Sequence, residues 1–382
     1  MQEPGRGRRC AQWWGCVALA SVCACRVYDP ALLDVRRDGG STWPVECGPR
    51  RVPPDRPQRE DDGVDVGPVF WALRDVVLEQ SGELWRTTGF DMDGYCTRPP
   101  DFEAECVPPR ITSSREIDGE GGIDNAFGRT FYPFVQLAVP DLEQVARDHQ
   151  AAGRGAVLVH VSGWNGDADD PRVRVWVGVS SWGTSEGEKA PPEVRYDGMT
   201  PVLLDGREPM PPAWDGEDWL FARDDNFAGG DPRSPLLVDD NAYVANGALV
   251  VRLPDRTEIV FIGATNGVLV RITDGLLVGR LVDGRIEATL GGRWAVVDIA
   301  QSAQAVGVCP GSAQYDLLET QLDVIADVRS RPGTGGPGVR CDAISAWVLM
   351  TGQRARWGGI GPGFRPTGNC PGATARGASE GQ

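Results

Sequence analysis

The stretch ALVVRLPDRTEIVFIGATNGVLVRITDGLLVGRLVDGRIEATL, residues 248–290, carries the clearest secondary-structure pattern of this chain. Short runs of Val, Ile and Leu are separated by the dipeptides Asn266-Gly267, Asp274-Gly275 and Asp283-Gly284. Asn-Gly and Asp-Gly between apolar runs are the strongest short-range signals for β-hairpin turns. The stretch therefore predicts an antiparallel meander, with strands near 248–253, 257–262, 268–272, 276–282 and 285–290.

Upstream of the meander, residues 172–180 predict a half-buried strand. Valine occupies every second position from Val173 to Val179, whereas arginine, tryptophan and glycine occupy the positions between them. One apolar face is typical of a strand that packs on a core with its other face in solvent. Residues 156–163 are its expected pairing partner across the turn-rich segment 164–171.

Apolar residues recur at helical spacing in two segments after the meander, Arg293–Val306 and Ala313–Val328. Residues 126–152 predict a further helical region that is interrupted at Pro133 and Pro140. Together the patterns predict an α+β protein, mainly antiparallel β. We expect sandwich-like sheets, a C-terminal helix pair packed on them, and stabilising disulfides.

Composition narrows the class of protein. The 382 residues carry a formal net charge of −16, and 24% of them are charged while 41% are hydrophobic. An acidic chain lacks the basic surface that nucleic-acid binding requires. His149 and His160 are the only histidines, which argues against a histidine metal centre or a Ser-His-Asp triad.

The expected organisation begins with a leader and a tether. We predict a signal peptide at 1–24, a Pro-rich tether at 25–67, a β-rich folded domain at 68–370 and a flexible tail at 371–382. The folded domain is long enough for two lobes, which would divide it into 68–235 and 236–370.

The first 25 residues have the parts of a secretory signal peptide. Arginines precede an apolar run, Trp13–Val22, that is shorter than the roughly 20 apolar residues of a membrane span. Its end, Val22-Cys23-Ala24-Cys25, resembles the lipobox of bacterial lipoproteins, with an unusual cysteine at Cys23. The resemblance implies cleavage before Cys25 and lipidation of Cys25. Two alternatives are a plain secretory cut after Ala18-Leu19-Ala20 and a cytosolic chain with a chance apolar start.

Cysteine parity is compatible with lipidation. Of the ten cysteines, six remain when Cys10, Cys16 and Cys23 leave with the leader and Cys25 carries the lipid. Six cysteines allow 15 connectivities. Spacing favours Cys96–Cys106 and Cys309–Cys341, which leaves Cys47–Cys370 by elimination. Zinc is a weaker alternative, because the chain has no C-x-x-C pair and an exported chain meets an oxidising compartment.

Residues 116–128, EIDGEGGIDNAFG, form the most suggestive chemical stretch. It is compatible with a solvated turn in which Asp and Asn bond their own backbone. It is also compatible with a calcium loop, although the spacing does not match an EF-hand. A sugar- or partner-binding rim is a further alternative. A calcium site would gather the side chains of Asp91, Asp93, Asp118, Asp124 and Asn125 around one point.

The segment Glu116-Ile117-Asp118-Gly119-Glu120 also resembles the Glu-x-Asp-x-Glu motif of laminarinase-like retaining glycosidases. The resemblance implies Glu116 as nucleophile and Glu120 as acid/base. Retaining chemistry needs the two carboxyl groups ~5 Å apart. A regular strand separates residues four apart by ~13 Å, so a bulge would be required.

Tryptophans are frequent between residues 164 and 219. Five of them would supply either a carbohydrate-binding platform or structural packing with the indole N–H bonded at the sheet edge. These five are Trp164, Trp176, Trp182, Trp214 and Trp219.

Three blocks of sequence resemble uncharacterised secreted lipoproteins of high-GC predatory, myxobacteria-like Gram-negative bacteria. They are Asp91-Met92-Asp93-Gly94, Gly122-Ile123-Asp124-Asn125, and the segment from Gly291 to Cys341-Asp342-Ala343-Ile344-Ser345. The resemblance covers most of the mature chain and brings no known activity. It implies a cell-envelope location and a disulfide-bonded, β-rich fold.

Three functions follow as expectations. The first is a lipid-anchored outer-membrane lipoprotein, periplasmic or surface-facing, with a non-catalytic binding or structural role and a glycan or envelope protein as partner. The second is a secreted polysaccharide hydrolase that uses the carboxylates of Glu116, Asp118 and Glu120. The third is a calcium-stabilised structural domain. No cofactor other than calcium is expected.

Overall fold

The computed structural model describes residues 48–60, 63–99, 102–111, 116–262, 267–282, 284–364, 366, 369 and 370. All of them belong to one compact unit. The expected lipidation site Cys25, Cys47 and the expected tail lie outside the described residues. The described part of the chain is mostly antiparallel β, with 37% of its residues in strands and 19% in helices.

Within the described ranges, the strands number thirteen and the α-helices four. The strands are β1 Val69–Val77, β2 Val157–Ser162, β3 Asp170–Thr184, β4 Val194–Asp197, β5 Thr200–Leu203, β6 Trp219–Arg223, β7 Leu237–Ala245, β8 Ala248–Arg252, β9 Thr257–Ile262, β10 Gly267–Val282, β11 Arg285–Ala295, β12 Ala343–Arg354 and β13 Arg356–Gly361. The helices are α1 Tyr132–Ala138, α2 Leu142–Ala151, α3 Val296–Ala303 and α4 Ala313–Ile325. A π-helical turn, Phe127–Phe131, leads directly into α1.

Eight strands close into a barrel in the order β3-β2-β1-β12-β11-β10-β8-β7, because β7 also pairs with β3. The barrel pairings are antiparallel. The expected sandwich is therefore corrected to a closed barrel. Register shifts in β1, β3 and β10 supply the bends that closure requires, and closure removes the unpaired edges that a flat sheet would expose.

Smaller sheet segments extend this barrel. β6 pairs antiparallel with the end of β3, and β13 pairs parallel with β6. β9 pairs with the first half of β10, while β4 and β5 form a separate hairpin.

Of the predicted meander, the β9–β10 and β10–β11 hairpins are confirmed, whereas β8 pairs with β10 and not with β9. A second correction concerns the Asp-Gly dipeptide inside β10. Asp274-Gly275 does not turn the chain between two strands, because β10 continues through it as a bulge between Thr273 and Leu276. Asp274 has a φ of 50°, in the left-handed region that Asp tolerates better than most residues. The bulge bends β10, so that its first half pairs with β9 and its second half with β8.

The barrel core contains the predicted valine face. Val173, Val175 and Val177 are each at most 2% exposed, and β2 pairs with β3 as the sequence predicts. The helices add side chains to the same core, including Ile299, Leu322 and the π-helical phenylalanines. The first α-helix after the meander begins at Val296, later than predicted, because β11 extends to Ala295.

The disulfides differ from the predicted pairs. Cys106 bonds Cys341, and Cys309 bonds Cys370, so the three predicted pairs, Cys96–Cys106, Cys309–Cys341 and Cys47–Cys370, are wrong. Cys96 is disulfide-bonded as well. An isolated parallel bridge between Val107 and Arg340 brings Cys106 beside Cys341.

The second disulfide follows from the return of the C-terminal segment to the end of α3. Asn369 donates hydrogen bonds from its backbone to Gln304 O at 3.0 Å and from its side chain to Ala305 O at 2.9 Å. These bonds bring Cys370 next to the turn that carries Cys309.

The described part of the predicted tether lies against the barrel. Arg56 donates to Pro171 O at 2.7 Å and stacks 4.8 Å from the ring centre of Tyr243. Val66 N donates to Trp164 O at 2.9 Å. In the part of the chain that the structure describes, no helix combines the length and hydropathy needed to cross a bilayer.

Candidate metal centre

Carboxyl groups from three distant parts of the chain converge beside β11 and β12. One pair lies in the turn after β1, and a second group lies in the acidic stretch before the π-helical turn. The third part is the residue that follows α4 by two positions. The carboxyl groups belong to Asp91, Asp93, Glu116, Asp118, Asp124 and Asp327.

The first two aspartates are oriented by their own turn. Asp91 Oδ1 accepts from Gly94 N at 2.7 Å, and Asp93 Oδ1 accepts from Tyr95 N at 2.8 Å. Such short-range side-chain bonds are why Asp is common in turns. The turn therefore holds both carboxylates in fixed positions.

Asp91, Asp93 and Asp124 each place one carboxylate oxygen within 4.8 Å of those of the other two. Calcium binds oxygen at 2.3–2.6 Å, so two ligands on opposite sides of one ion are separated by ~4.8 Å. The three oxygens thus have the spacing of ligands to a common ion.

A small cavity of about 20 Å³ lies next to this triad. Glu116, Asp118, Asp124 and Asp327 line it, together with a few neutral residues that include Thr97 and Cys106. A single water occupies a cavity of ~10–15 Å³ on this measure. The cavity therefore has room for one water or one ion, and Asp124 belongs to both the cavity and the triad.

Two oxygens at the cavity are available to a ligand. Asp118 Oδ2 accepts from Thr97 N, and Asp124 Oδ2 accepts from Met92 N at 2.7 Å. Neither Oδ1 accepts a hydrogen bond from any described residue. Both residues are buried, with 5% and 2% of their surface exposed. Buried carboxylate oxygens without partners are costly unless a cation or a proton compensates them.

The pKa values reflect this cost. Burial raises the pKa of Asp118 to about 9 and that of Asp327 to about 7, and neighbouring carboxylates add to both shifts. Burial also raises the pKa of Asp124 well above its usual value, with Asp93, Asp118 and Asp327 contributing. The cluster cannot hold all its negative charges near neutral pH without a cation.

Arginines compensate only the edge of the cluster. Arg50 pairs with Asp91, Arg129 pairs with Glu116 at 3.1 Å, and Arg293 pairs with Glu105 at 2.5 Å. Across the described ranges, no basic side chain forms an ion pair with Asp118, Asp124 or Asp327. Asp327 instead accepts from the backbone and hydroxyl of Ser345.

Asn125 does not join the cluster. Its amide donates to Gln80 Oε1 at 2.7 Å and to Thr88 O at 3.0 Å, and its Oδ1 accepts from Gly128 N at 2.9 Å. Asn125 therefore anchors the start of the π-helical turn. The structure brings together the four predicted aspartates and leaves this asparagine out.

The two glutamates of the glycosidase-like motif do not share a cavity. Glu116 lines the acidic cavity and binds Thr130 Oγ1 at 2.6 Å. Glu120 lies in a short 3-10 turn, is exposed, and does not line the cavity. Residues 116–119 form no strand, and Gly121, directly after Glu120, has a φ of 66°, so the segment leads into a turn and is not a bulged strand.

The five tryptophans, three of which lie in β3 and β6, make contacts within the protein. Trp182 stacks on Phe221 at 3.9 Å, and Trp176 stacks on His160 at 5.4 Å. Arg74 lies 4.7 Å from the ring centre of Trp214. Four of the five indole N–H groups donate to protein oxygens, namely those of Trp164, Trp182, Trp214 and Trp219. These contacts correspond to a packing role.

Sequence reasoning missed Asp327 and the buried pair of Arg293 with Glu105. Arg293 is 1% exposed and also donates to Met92 O at 2.5 Å, so it fixes the aspartate turn against β11. The available signal was an ionisable residue inside an apolar run, as in Ile325-Ala326-Asp327-Val328. A charge in such a run must find a partner once it is buried.

Comparison with protein-family models, with curated proteins and with solved structures gives no significant match.

Proposed function

We propose that this protein is an exported, non-catalytic domain that binds one divalent cation, Ca²⁺, in its carboxylate cluster. The observation that carries the proposal is the small cavity at which buried Asp118 and Asp124 each keep one oxygen without a described hydrogen-bond donor. Asp91 and Asp93 complete the proposed ligand set from the adjacent turn.

The donor chemistry favours calcium over other metals. The cluster offers carboxylate oxygens, which suit hard cations, whereas zinc prefers sulfur and imidazole. Magnesium needs near-ideal octahedral geometry and keeps several waters, for which a cavity of about 20 Å³ is too small. Extracellular modules bind calcium with dissociation constants of ~10⁻⁴–10⁻³ M, which matches the supply outside the cell.

The proposed role of the ion is structural. It would link the turn after β1 to the loop before the π-helical turn, and both to the segment after α4. Hydrogen bonds already join the first two segments, among them Met92 N to Asp124 and the reciprocal pair between Thr97 and Asp118. The ion would add a link between charged side chains that otherwise repel one another. An ion that binds only the folded state stabilises it by mass action.

We further propose that the domain is lipid-anchored to the outer membrane through Cys25, facing the periplasm or the surface, with a glycan or an envelope protein as its partner. The disulfides Cys106–Cys341 and Cys309–Cys370 support export, because such bonds persist in oxidising compartments. The lipobox-like sequence before Cys25 supports the anchor.

Thermal unfolding with calcium or with EDTA tests the calcium proposal. We expect calcium to raise the melting temperature by about 5 °C, because saturation at a hundredfold excess over Kd stabilises by ~2.7 kcal/mol. Asp124→Asn should lose most of this shift, since it removes the shared carboxylate. The matched control Asp197→Asn, in the exposed β4–β5 hairpin, should keep it. Equal melting temperatures in calcium and EDTA for the unmodified protein would refute the proposal.

A further inference from the structure

Residues 49–51, which we call the strap, run across the carboxylate cluster as part of the predicted tether. Arg51 N donates to Gly121 O, and Arg51 O accepts from Asp91 N, both at 2.8 Å. A Cβ at Gly121 would lie only 2.6 Å from Pro49 O, so the strap contacts this loop closely. The strap therefore joins the aspartate turn after β1 to the loop before the π-helical turn.

Arg50 is the side chain that the strap directs at the cluster. Its Nε donates to Asp91 Oδ2, and the guanidinium packs over Gly94, where a Cβ would lie 3.3 Å from Nη2. A Cβ at Gly122 would lie 3.4 Å from the same Oδ2, so this oxygen faces the loop that carries Asp124. Arg50 thus neutralises one proposed calcium ligand on the side of a second one.

The two partners of this ion pair differ in exposure. The side chain of Asp91 is 2% exposed, whereas that of Arg50 is 56% exposed. An exposed arginine gains little from an ion pair, because water and salt screen the charge and because pairing restricts a long side chain. The guanidinium can therefore move into solvent while the backbone bonds of Arg51 keep the strap in place. The buried carboxylate has no such alternative.

We propose that Arg50 is a built-in competitor of the cation. The guanidinium occupies Asp91 when the cluster holds no ion, and calcium displaces it into solvent. The inference rests on the proposed calcium site and adds the residue that sets its affinity. A positive charge beside a divalent cation is repelled, so calcium binds only at the cost of breaking the Arg50–Asp91 pair. This cost holds the affinity in the weak range of extracellular calcium modules.

A competitor and a merely structural strap residue predict different results when the charge of Arg50 is removed. For a competitor, the calcium affinity rises and the stability in EDTA falls, because Asp91 then stays buried without a cation. For a residue that only fastens the strap, the ligands loosen, so that the calcium affinity and the stability in EDTA both fall.

Calorimetric titration of calcium into the full folded protein, after EDTA treatment and removal of the chelator, measures the affinity. We expect Arg50→Gln to bind calcium about fivefold more tightly than the unmodified protein, and Arg50→Glu more tightly again. The melting temperatures of the two variants in EDTA should fall in the same order. The control Arg233→Gln removes the same charge from the exposed pair with Asp231 and should leave the calcium affinity unchanged.

The outcomes separate this inference from the calcium proposal. If neither the unmodified protein nor the Arg50 variants bind calcium saturably, the calcium proposal is refuted and this inference with it. Saturable binding that Arg50→Gln and Arg50→Glu weaken or leave unchanged would overturn the competitor role alone. An equal gain in affinity in Arg233→Gln would assign the effect to net charge and would overturn that role as well.

Discussion

Asp118 is a residue at which ion binding and simple burial predict opposite results. Its carboxyl group is buried, its pKa is raised to about 9, and only one oxygen has a described hydrogen-bond donor. If an ion is bound, the charge on Asp118 stabilises the folded protein. If no ion is bound, the same charge destabilises it.

We therefore predict that Asp118→Asn raises the melting temperature in EDTA at pH 8 and removes most of the gain from calcium. The asparagine keeps an acceptor for Thr97 N while removing the charge. Scanning calorimetry in EDTA and in calcium measures both effects. A variant that melts lower than the unmodified protein in both buffers would assign Asp118 to packing alone.

The convergence of the aspartates was predictable from sequence because turn-forming Asp residues cluster locally in residues 91–93 and 118–124. Asn125 was not separable from them, since its neighbours are the same. Its side chain does not join the carboxylates, because its amide donates to the carbonyl of Thr88 and its Oδ1 accepts from Gly128 N. Asp327 could not be predicted as a partner, because its proximity depends on how α4 packs.

At the scale of elements, the disulfide pairs differ from those that the local spacing of the cysteines predicts. Cys96 and Cys106 are ten positions apart, yet the bridge between Val107 and Arg340 pairs Cys106 with a residue 235 positions away. Long-range pairing of short loop segments leaves no periodic signal in the sequence. The hairpin at Asp274 was overpredicted for a related reason, because a bulge and a turn use the same dipeptide.

We predict that replacing Cys106 and Cys341 by serine destabilises the protein more than replacing Cys309 and Cys370. The Cys106–Cys341 bond closes a sequence separation of 235, and the Cys309–Cys370 bond one of 61. The longer loop lowers the entropy of the unfolded chain more, which favours the first bond by ~1 kcal/mol. Cys106 also lines the acidic cavity, so its loss should loosen the carboxylates. Urea unfolding of the two double variants compares them, and a larger loss for the second pair would contradict the prediction.

The loops that carry the carboxylates should make stability depend on pH. The folded-state pKa values of Asp118, about 9, and Asp327, about 7, lie above the ~3.9 of an unfolded aspartate. The folded state therefore binds more protons between these limits. The stability that these bound protons contribute is fully present below about pH 4. It falls as the pH rises, by up to ~1.4 kcal/mol per pH unit for each group.

Calcium should reduce this dependence of folding stability on pH, because the bound ion replaces the protons in neutralising the carboxylates. We predict that the melting temperature in EDTA falls between pH 5 and pH 8 and that saturating calcium removes most of the fall. Unfolding scans at several pH values provide the test. A profile that is identical with and without calcium would mean that protons alone compensate the cluster.

At the scale of the whole molecule, the β-rich fold class was predictable from the sequence, whereas the closure of the sheet into a barrel was not. Alternating valines in β3 specify one buried face, which a sandwich and a barrel share equally. Closure depends on the pairing of β3 with β7, whose residues are separated by β4, β5 and β6 in sequence. Such a long-range contact leaves no mark on local periodicity.

Intact mass spectrometry of the membrane fraction tests the proposed export and anchor. We predict a mature chain that begins at Cys25 and carries acyl groups, since the lipobox-like sequence places the cut before that residue. An unacylated chain that begins at Ser21 would contradict the anchor and leave the export intact.

Calorimetric titration of calcium into the EDTA-treated protein tests the central claim most directly. We predict saturable binding of one ion per chain to the unmodified protein and to Asp197→Asn, and its loss in Asp124→Asn. The absence of saturable binding at millimolar calcium, or binding that Asp124→Asn leaves unchanged, would contradict the claim that these carboxylates hold an ion.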